Sequence, residues 1–143
     1  VPIDAGALVM VSVSAAGEVF AGNDGEVFVF DGGVMQSVFS ASPQVVVDLA
    51  SDARRTVALT RSGLLCDVTT GVCDMIGTGL LGRLWPLGSR GLGVTDGRAG
   101  WLEIASTGGA STISTPFVPS ALWVTRDGGV AAGTANGSVF EAE

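Results

Sequence analysis

Two cysteines, fourteen carboxylates and seven basic side chains, all arginine, are the main resources this chain has for chemistry. Cys66 and Cys73 lie in Leu64-Leu65-Cys66-Asp67-Val68-Thr69-Thr70-Gly71-Val72-Cys73. A hairpin turning at Thr69-Thr70 pairs 68 with 71, 67 with 72 and 66 with 73. The two sulfurs then face each other across adjacent strands, a reach that suits a disulfide. Two buried free thiols are the alternative. A metal site needs more soft ligands, and the chain has no further Cys and no His. A disulfide implies an exported protein, whether periplasmic, on the cell surface or secreted. The carboxylates are scattered: Asp24, Asp31, Asp48, Asp52, Asp67, Asp74, Asp96 and Asp127 among them. Glycoside hydrolysis needs two that face each other at a defined separation, which sequence spacing neither gives nor excludes. Asp48, inside Val45-Val46-Val47-Asp48-Leu49, is the sharpest single candidate. Arg54-Arg55 is the only adjacent basic pair, a clamp for phosphate or carboxylate or else a solvated turn.

Composition removes other chemistries. Lys, His and Tyr are absent, so histidine acid–base work and lysine Schiff bases have no residue to use. The net charge of −7 leaves no basic stripe, and no nucleic acid is expected as a partner. Mean hydropathy is high at +0.51. The longest uncharged stretch, 104–125, is broken by Gly108, Gly109, Pro116 and Pro119, so no membrane span is expected. No Gly-x-Ser-x-Gly elbow, phosphate loop or dinucleotide fingerprint occurs, and Asn23-Asp24-Gly25 falls far short of a calcium ligand set. No cofactor and no metal are expected. The chain starts at Val1 without Met or a signal peptide, as a mature or trimmed product would.

Any site needs elements to hold it, and here a repeat supplies them. A glycine opening a short apolar strand occurs in Asn23-Asp24-Gly25-Glu26-Val27-Phe28 and Arg61-Ser62-Gly63-Leu64-Leu65-Cys66. It recurs in Arg98-Ala99-Gly100-Trp101-Leu102-Glu103 and Ala135-Asn136-Gly137-Ser138-Val139-Phe140. The spacings are 38, 37 and 37 residues. An apolar strand precedes each glycine, at 8–13, 45–49, 84–87 and 122–125, and Trp85 and Trp123 fall at matching places. Each unit reads as up to four short strands, a to d, separated by Asp-Gly, Asn-Gly and Gly-Gly turns, with no helical period. An all-β unit of about 37 residues with four strands is the blade of a β-propeller. The expected blades are 7–43, 44–81, 82–119 and 120–143, with 1–6 as a linker or partial closing strand. The last unit lacks its outer strand, and Val1–Ile3 offers only a fragment of one. The four blades therefore close alone, or join a second copy in an eight-bladed ring, or belong to a longer propeller with an N-terminal segment missing here.

The segment Ala121-Leu122-Trp123-Val124-Thr125-Arg126-Asp127-Gly128-Gly129-Val130-Ala131-Ala132-Gly133-Thr134 resembles the recurring W-V-x-x-D-G-x-V-x-A-G blade start of short-blade β-propellers from bacterial exported proteins. No Trp-Asp dipeptide closes a strand as in WD40 repeats, and no Ser-x-Asp-x-Gly-x-Thr-Trp box occurs as in sialidases. The resemblance implies structure and a role in recognition, not sialidase activity.

In such a fold the b–c and d–a loops share one face and usually carry the ligand site. Here that face collects Asp24, Arg61, Arg83, Asp96, Arg98, Phe117 and Asn136, with solvated turns as the alternative for each. Arg54, Arg55, Arg90, Arg126 and Asp127 fall on the other face. Asp48 is expected to line the central channel, and Trp85 and Trp123 to pack between blades. The expected role is a non-catalytic binding or scaffold module that presents loops to a protein or glycan partner. The competing role is a glycan-active hydrolase or lyase with carboxylates at the ring mouth.

Overall fold

The structure, a computed structural model, describes residues 9–78 and 81–142, the last of these by backbone only. The linker or partial closing strand expected at 1–6 lies outside the described residues. Four antiparallel sheets follow one another along the chain, each a meander in sequence order. The first holds β1 (Met10–Val13), β2 (Val19–Gly22), β3 (Glu26–Asp31) and β4 (Val34–Ser40). The second holds β5 (Val46–Ser51), β6 (Thr56–Thr60), β7 (Leu64–Asp67) and β8 (Cys73–Met75). The third holds β9 (Arg83–Pro86), β10 (Leu92–Thr95), β11 (Trp101–Ile104) and β12 (Ala110–Ile113). The fourth has three strands, β13 (Ala121–Val124), β14 (Val130–Gly133) and β15 (Val139–Ala142). The first strands of successive sheets pack on one another, β1 on β5, β5 on β9 and β9 on β13. The sheets are thus blades set around a common axis, the arrangement of a propeller. β13 does not pack on β1 in the same way, so the four blades form an open arc.

The repeated glycine has a geometric cause. In the turn after β6 the Thr60 carbonyl accepts the Gly63 N–H at 3.0 Å, and Gly63 takes the left-handed φ of 90°. A Cβ there would also meet the Thr78 backbone nitrogen at 2.8 Å. The first blade solves the same turn differently. Gly25 is not left-handed; instead Asn23 Oδ1 accepts the N–H groups of Gly25 at 2.9 Å and Glu26 at 2.8 Å.

Three apolar layers fill the gaps between blades. Phe20 and Val27 of the first blade meet Val46, Leu49, Ala58 and Val68 of the second. Val57, Leu59 and Leu65 of the second meet Leu84, Leu92, Val94 and Ile104 of the third. Leu87 and Trp101 of the third meet Leu122, Val130 and Ala132 of the fourth. Leu59 and Leu92 are wholly buried, each worth about 1.5–3 kcal/mol of transfer free energy. Gly93 sets how closely the last two blades approach, since a Cβ on it would stand 2.6 Å from Leu122 Cδ1.

Polar links cross the same gaps. The Ser12 and Ser51 hydroxyls bond at 2.7 Å, and Ser51 bonds Thr56 at 2.7 Å. Arg90 grips Glu103 through two parallel bonds of 3.0 Å and donates across to the Gly128 carbonyl at 3.2 Å. Cys66 stands opposite Cys73 on β7 and β8, and the two are joined as a disulfide with no free cysteine among the described residues.

Candidate functional site

Because successive strands are antiparallel, the turns after every second and fourth strand of a blade emerge at one end. Two hollows open on that end. The first, about 260 Å³, lies between the segment after β8 and the turn joining β10 to β11. Thr78, Asp96, Arg98 and Gly100 are among its walls. Asp96 and Arg98, both expected site residues, meet as an ion pair at 3.6 Å, and Asp96 Oδ1 accepts the Arg98 N–H at 3.3 Å. The Arg98 side chain is mostly exposed, so the pair adds at most about 1 kcal/mol. Its value is chemical: it holds a donor fork and an acceptor at the rim. Thr78 is buried, and its hydroxyl has no hydrogen-bond partner, a group that asks for one from a ligand or water.

The second hollow, about 340 Å³, repeats the first one blade on. It lies between Phe117 and Val118, after β12, and the turn 134–138 joining β14 to β15. Thr134, Asn136 and Phe140 stand 38 residues after Asp96, Arg98 and Leu102. Phe117 and Phe140 stack with ring centroids 4.2 Å apart and planes 15° from parallel. Asn136 Oδ1 accepts the Thr134 hydroxyl and the Ser138 N–H, the latter at 3.1 Å. Asn136 is thereby fixed at the edge of an aromatic shelf.

Of the seven expected residues, the fold brings Asp96 to Arg98 and Phe117 to Asn136. Asp24, Arg61 and Arg83 line neither hollow. In the gap between the first two blades the main chain is stitched instead. Val46 N–H donates across it to the Asp24 carbonyl at 2.8 Å, and within the second blade Arg61 N–H donates to the Val45 carbonyl at 2.7 Å. Arg83 turns its Nη1 back to the Gly82 carbonyl at 2.8 Å.

Phe140 and Thr78 were not legible as site residues. The one available signal for Phe140 was an aromatic three residues after the repeated glycine, which Phe28 shares.

Two expectations need correction. Asp48 is not a free channel carboxylate. Its Oδ2 accepts the Leu84 N–H at 2.7 Å and its Oδ1 its neighbour Leu49's N–H at 2.8 Å, so it latches β5 to β9. Trp123 does not pack between blades. It is 43% exposed, with no blade among the described residues packed on it, whereas Trp85 packs against the layer between the third and fourth blades. Arg90, expected on the face opposite the site, is the clasp to Glu103 and Gly128.

On the opposite end, a hollow of about 360 Å³ is lined by Ser14, Glu18, Arg54 and Arg55. Asp52 organises that loop, accepting the N–H groups of Arg54 at 2.8 Å and Arg55 at 2.9 Å, with Arg55 Nε 3.5 Å from its other oxygen. Asp127, also on that end, has its carboxyl held below the usual range. The Thr125 hydroxyl does most of this, aided by the N–H groups of Asp127 itself and Gly129.

No protein-family model and no curated protein matches the sequence. Solved structures do. A virginiamycin B lyase from Staphylococcus aureus superposes with a TM-score of 0.71 at 13% identity, over 100% of this chain and 57% of the lyase chain. A catalytically inactive variant of that lyase, with one histidine replaced by alanine and with quinupristin, gives 0.65 at 11% identity over 99% of this chain and 57% of the other. The computationally designed Ika4 protein gives 0.72 at 15% identity, over 99% of this chain and 94% of its own. The chain therefore spans a little over half the length of the lyases and nearly the whole of the design. At these identities the likeness speaks of architecture alone, and that architecture is a β-propeller.

Proposed function

We propose that the chain is a non-catalytic binding module of an exported protein, holding a protein or glycan partner on the end that carries the two hollows. The observation that carries this reading is the Phe117–Phe140 shelf. Two stacked rings, the exposed Val118 beside them and an oriented Asn136 amide offer an apolar platform with a polar edge. Such a platform suits a sugar ring or an apolar side chain of a partner loop. The neighbouring Asp96–Arg98 pair and the unpartnered Thr78 hydroxyl add polar contacts one blade away. The disulfide supports export, and no helix of the described residues is long and apolar enough to cross a membrane.

The competing reading is a lyase or hydrolase, favoured by the fold it shares with the lyases. Two observations weigh against it. Asp48, the strongest carboxylate candidate, is spent on backbone N–H groups. The inactive lyase variant lacks a histidine, and these 143 residues contain none. Probing an oligosaccharide array and a displayed peptide library with the labelled chain tests the proposal. Enrichment that Phe117→Asp abolishes and Arg54→Ala leaves intact supports it. Enrichment indifferent to Phe117→Asp, or turnover of an oligosaccharide by the wild-type chain, overturns it.

A further inference from the structure

The two ends of the arc carry the apolar rows that are buried everywhere else. Across β1, β2 and β3, Val11, Ala21 and Phe28 stand opposite one another, and Val13, Val19 and Phe30 form a second row on the same face. The corresponding row of the second blade is Leu49, Ala58 and Cys66. There the row packs on the first blade, and Leu49 is 5% exposed; Val11 is 67% exposed. At the far end, the fourth blade presents Trp123, Ala131 and Glu141 as one row, with Val139 exposed on the same face. The third blade's equivalent row, Trp85, Gly93 and Glu103, is the one Leu122 covers.

The two open faces are thus of opposite kind, one trailing and one leading. Among the described residues, trailing-on-leading contact is the blade packing found, and it occurs three times. We propose that two copies of this chain close one ring. The fourth blade of each packs, through Trp123 and Val139, on Val11, Val13 and Phe30 of the other's first blade. A single two-fold axis satisfies both faces of both chains at once and leaves no open end. Pairing like with like would use a contact not found among the described residues. The design, covered to 94%, is itself a chain of this span. Closure also carries the Asp24 turn of the partner subunit to the fourth blade, in line with the two hollows.

Light scattering on the 143-residue chain tests this, with a mass of twice 14.3 kDa expected. Val11→Lys and Trp123→Glu should each return 14.3 kDa, while Val118→Asp, away from both faces, keeps the dimer. Mixed in equal amounts, the two charged variants should dimerise again, since the mixed ring holds one native junction and one Lys–Glu junction. A wild-type monomer at every concentration means that further blades of a longer polypeptide cover these faces, and it overturns the proposal. So does a ladder of larger masses. Loss of the dimer with Val11→Lys but not with Trp123→Glu shows like-with-like pairing and overturns it too. So does a mixture that stays monomeric while both variants keep the wild-type circular dichroism.

Discussion

The gap between the second and third blades and the outer face of the first blade are both lined by apolar side chains from the first two strands of a blade. In the gap, Leu59, Val57, Leu92 and Val94 are sealed from water. On the outer face, Val11 and Val13 lie mostly in it. The difference is the neighbour. A blade's sequence specifies two faces that want cover, and only its place in the chain decides which are covered. Burial here is a property of the assembly rather than of the strand.

The largest expected effect breaks this comparison if it is wrong. Leu59→Ala should cost about 2–5 kcal/mol in urea unfolding, as a cavity in a closed layer does. Val11→Ala, measured where the chain is monomeric, should change stability by no more than about 0.5 kcal/mol. Equal losses at the two sites would mean that the outer face is already covered within one chain.

The second prediction separates the rim from both regions. Replacing Cys66 and Cys73 by Ser opens a loop with a sequence separation of 7 residues. Chain entropy puts the loss at about 2 kcal/mol. Since the bond lies on the outer hairpin, the loss should be the same at every protein concentration.

How much of this was legible in the sequence follows from the range over which each feature acts. Blade count, strand order and the Cys66–Cys73 register come from local rules. A side-chain period of two and a glycine closing a turn every 37 or 38 residues suffice. Features that span a gap between blades were not legible. Asp48 looked like a channel carboxylate because its partner, the Leu84 N–H, lies 36 residues away on the next blade. Phe117 was singled out but its partner Phe140 was not, as their stacking depends on how one blade rotates against the next. Trp85 and Trp123 are identical by pattern, and nothing within either segment tells that, among the described residues, one has a blade packed on it and the other has none.

A third prediction sharpens the inner half of the comparison. Asp48→Asn keeps one acceptor oxygen but cannot serve both the Leu84 and Leu49 N–H groups as the carboxylate does. It should cost about 1–3 kcal/mol. Amide exchange at Leu84 should quicken, while exchange in the third-to-fourth layer stays as it was.

The smallest effect concerns acid. Asp127 is fully exposed, and its carboxyl is lowered chiefly by the Thr125 hydroxyl. A lowered folded value means that its stabilisation is complete above the ordinary carboxylate pKa of about 3.9 and fades as pH falls through the folded value. The difference in Tm between wild type and Asp127→Asn should therefore be small and constant near neutrality, and shrink in strong acid. A difference that grows on acidification would contradict this sign.

The disulfide also sorts its two sulfurs by access. Cys66 is buried, while Cys73 lies in an exposed strand of three residues at the outer edge of its blade. An attacking thiolate therefore meets Cys73 first, and Cys66 leaves as the shielded thiol. The mixed disulfide forms at the perimeter, where the outermost strand can peel away while β5, β6 and β7 stay bonded to one another. The molecule thus carries a built-in tether point: cargo or a surface coupled through Cys73 would hang from the edge of the wheel and leave its hub untouched.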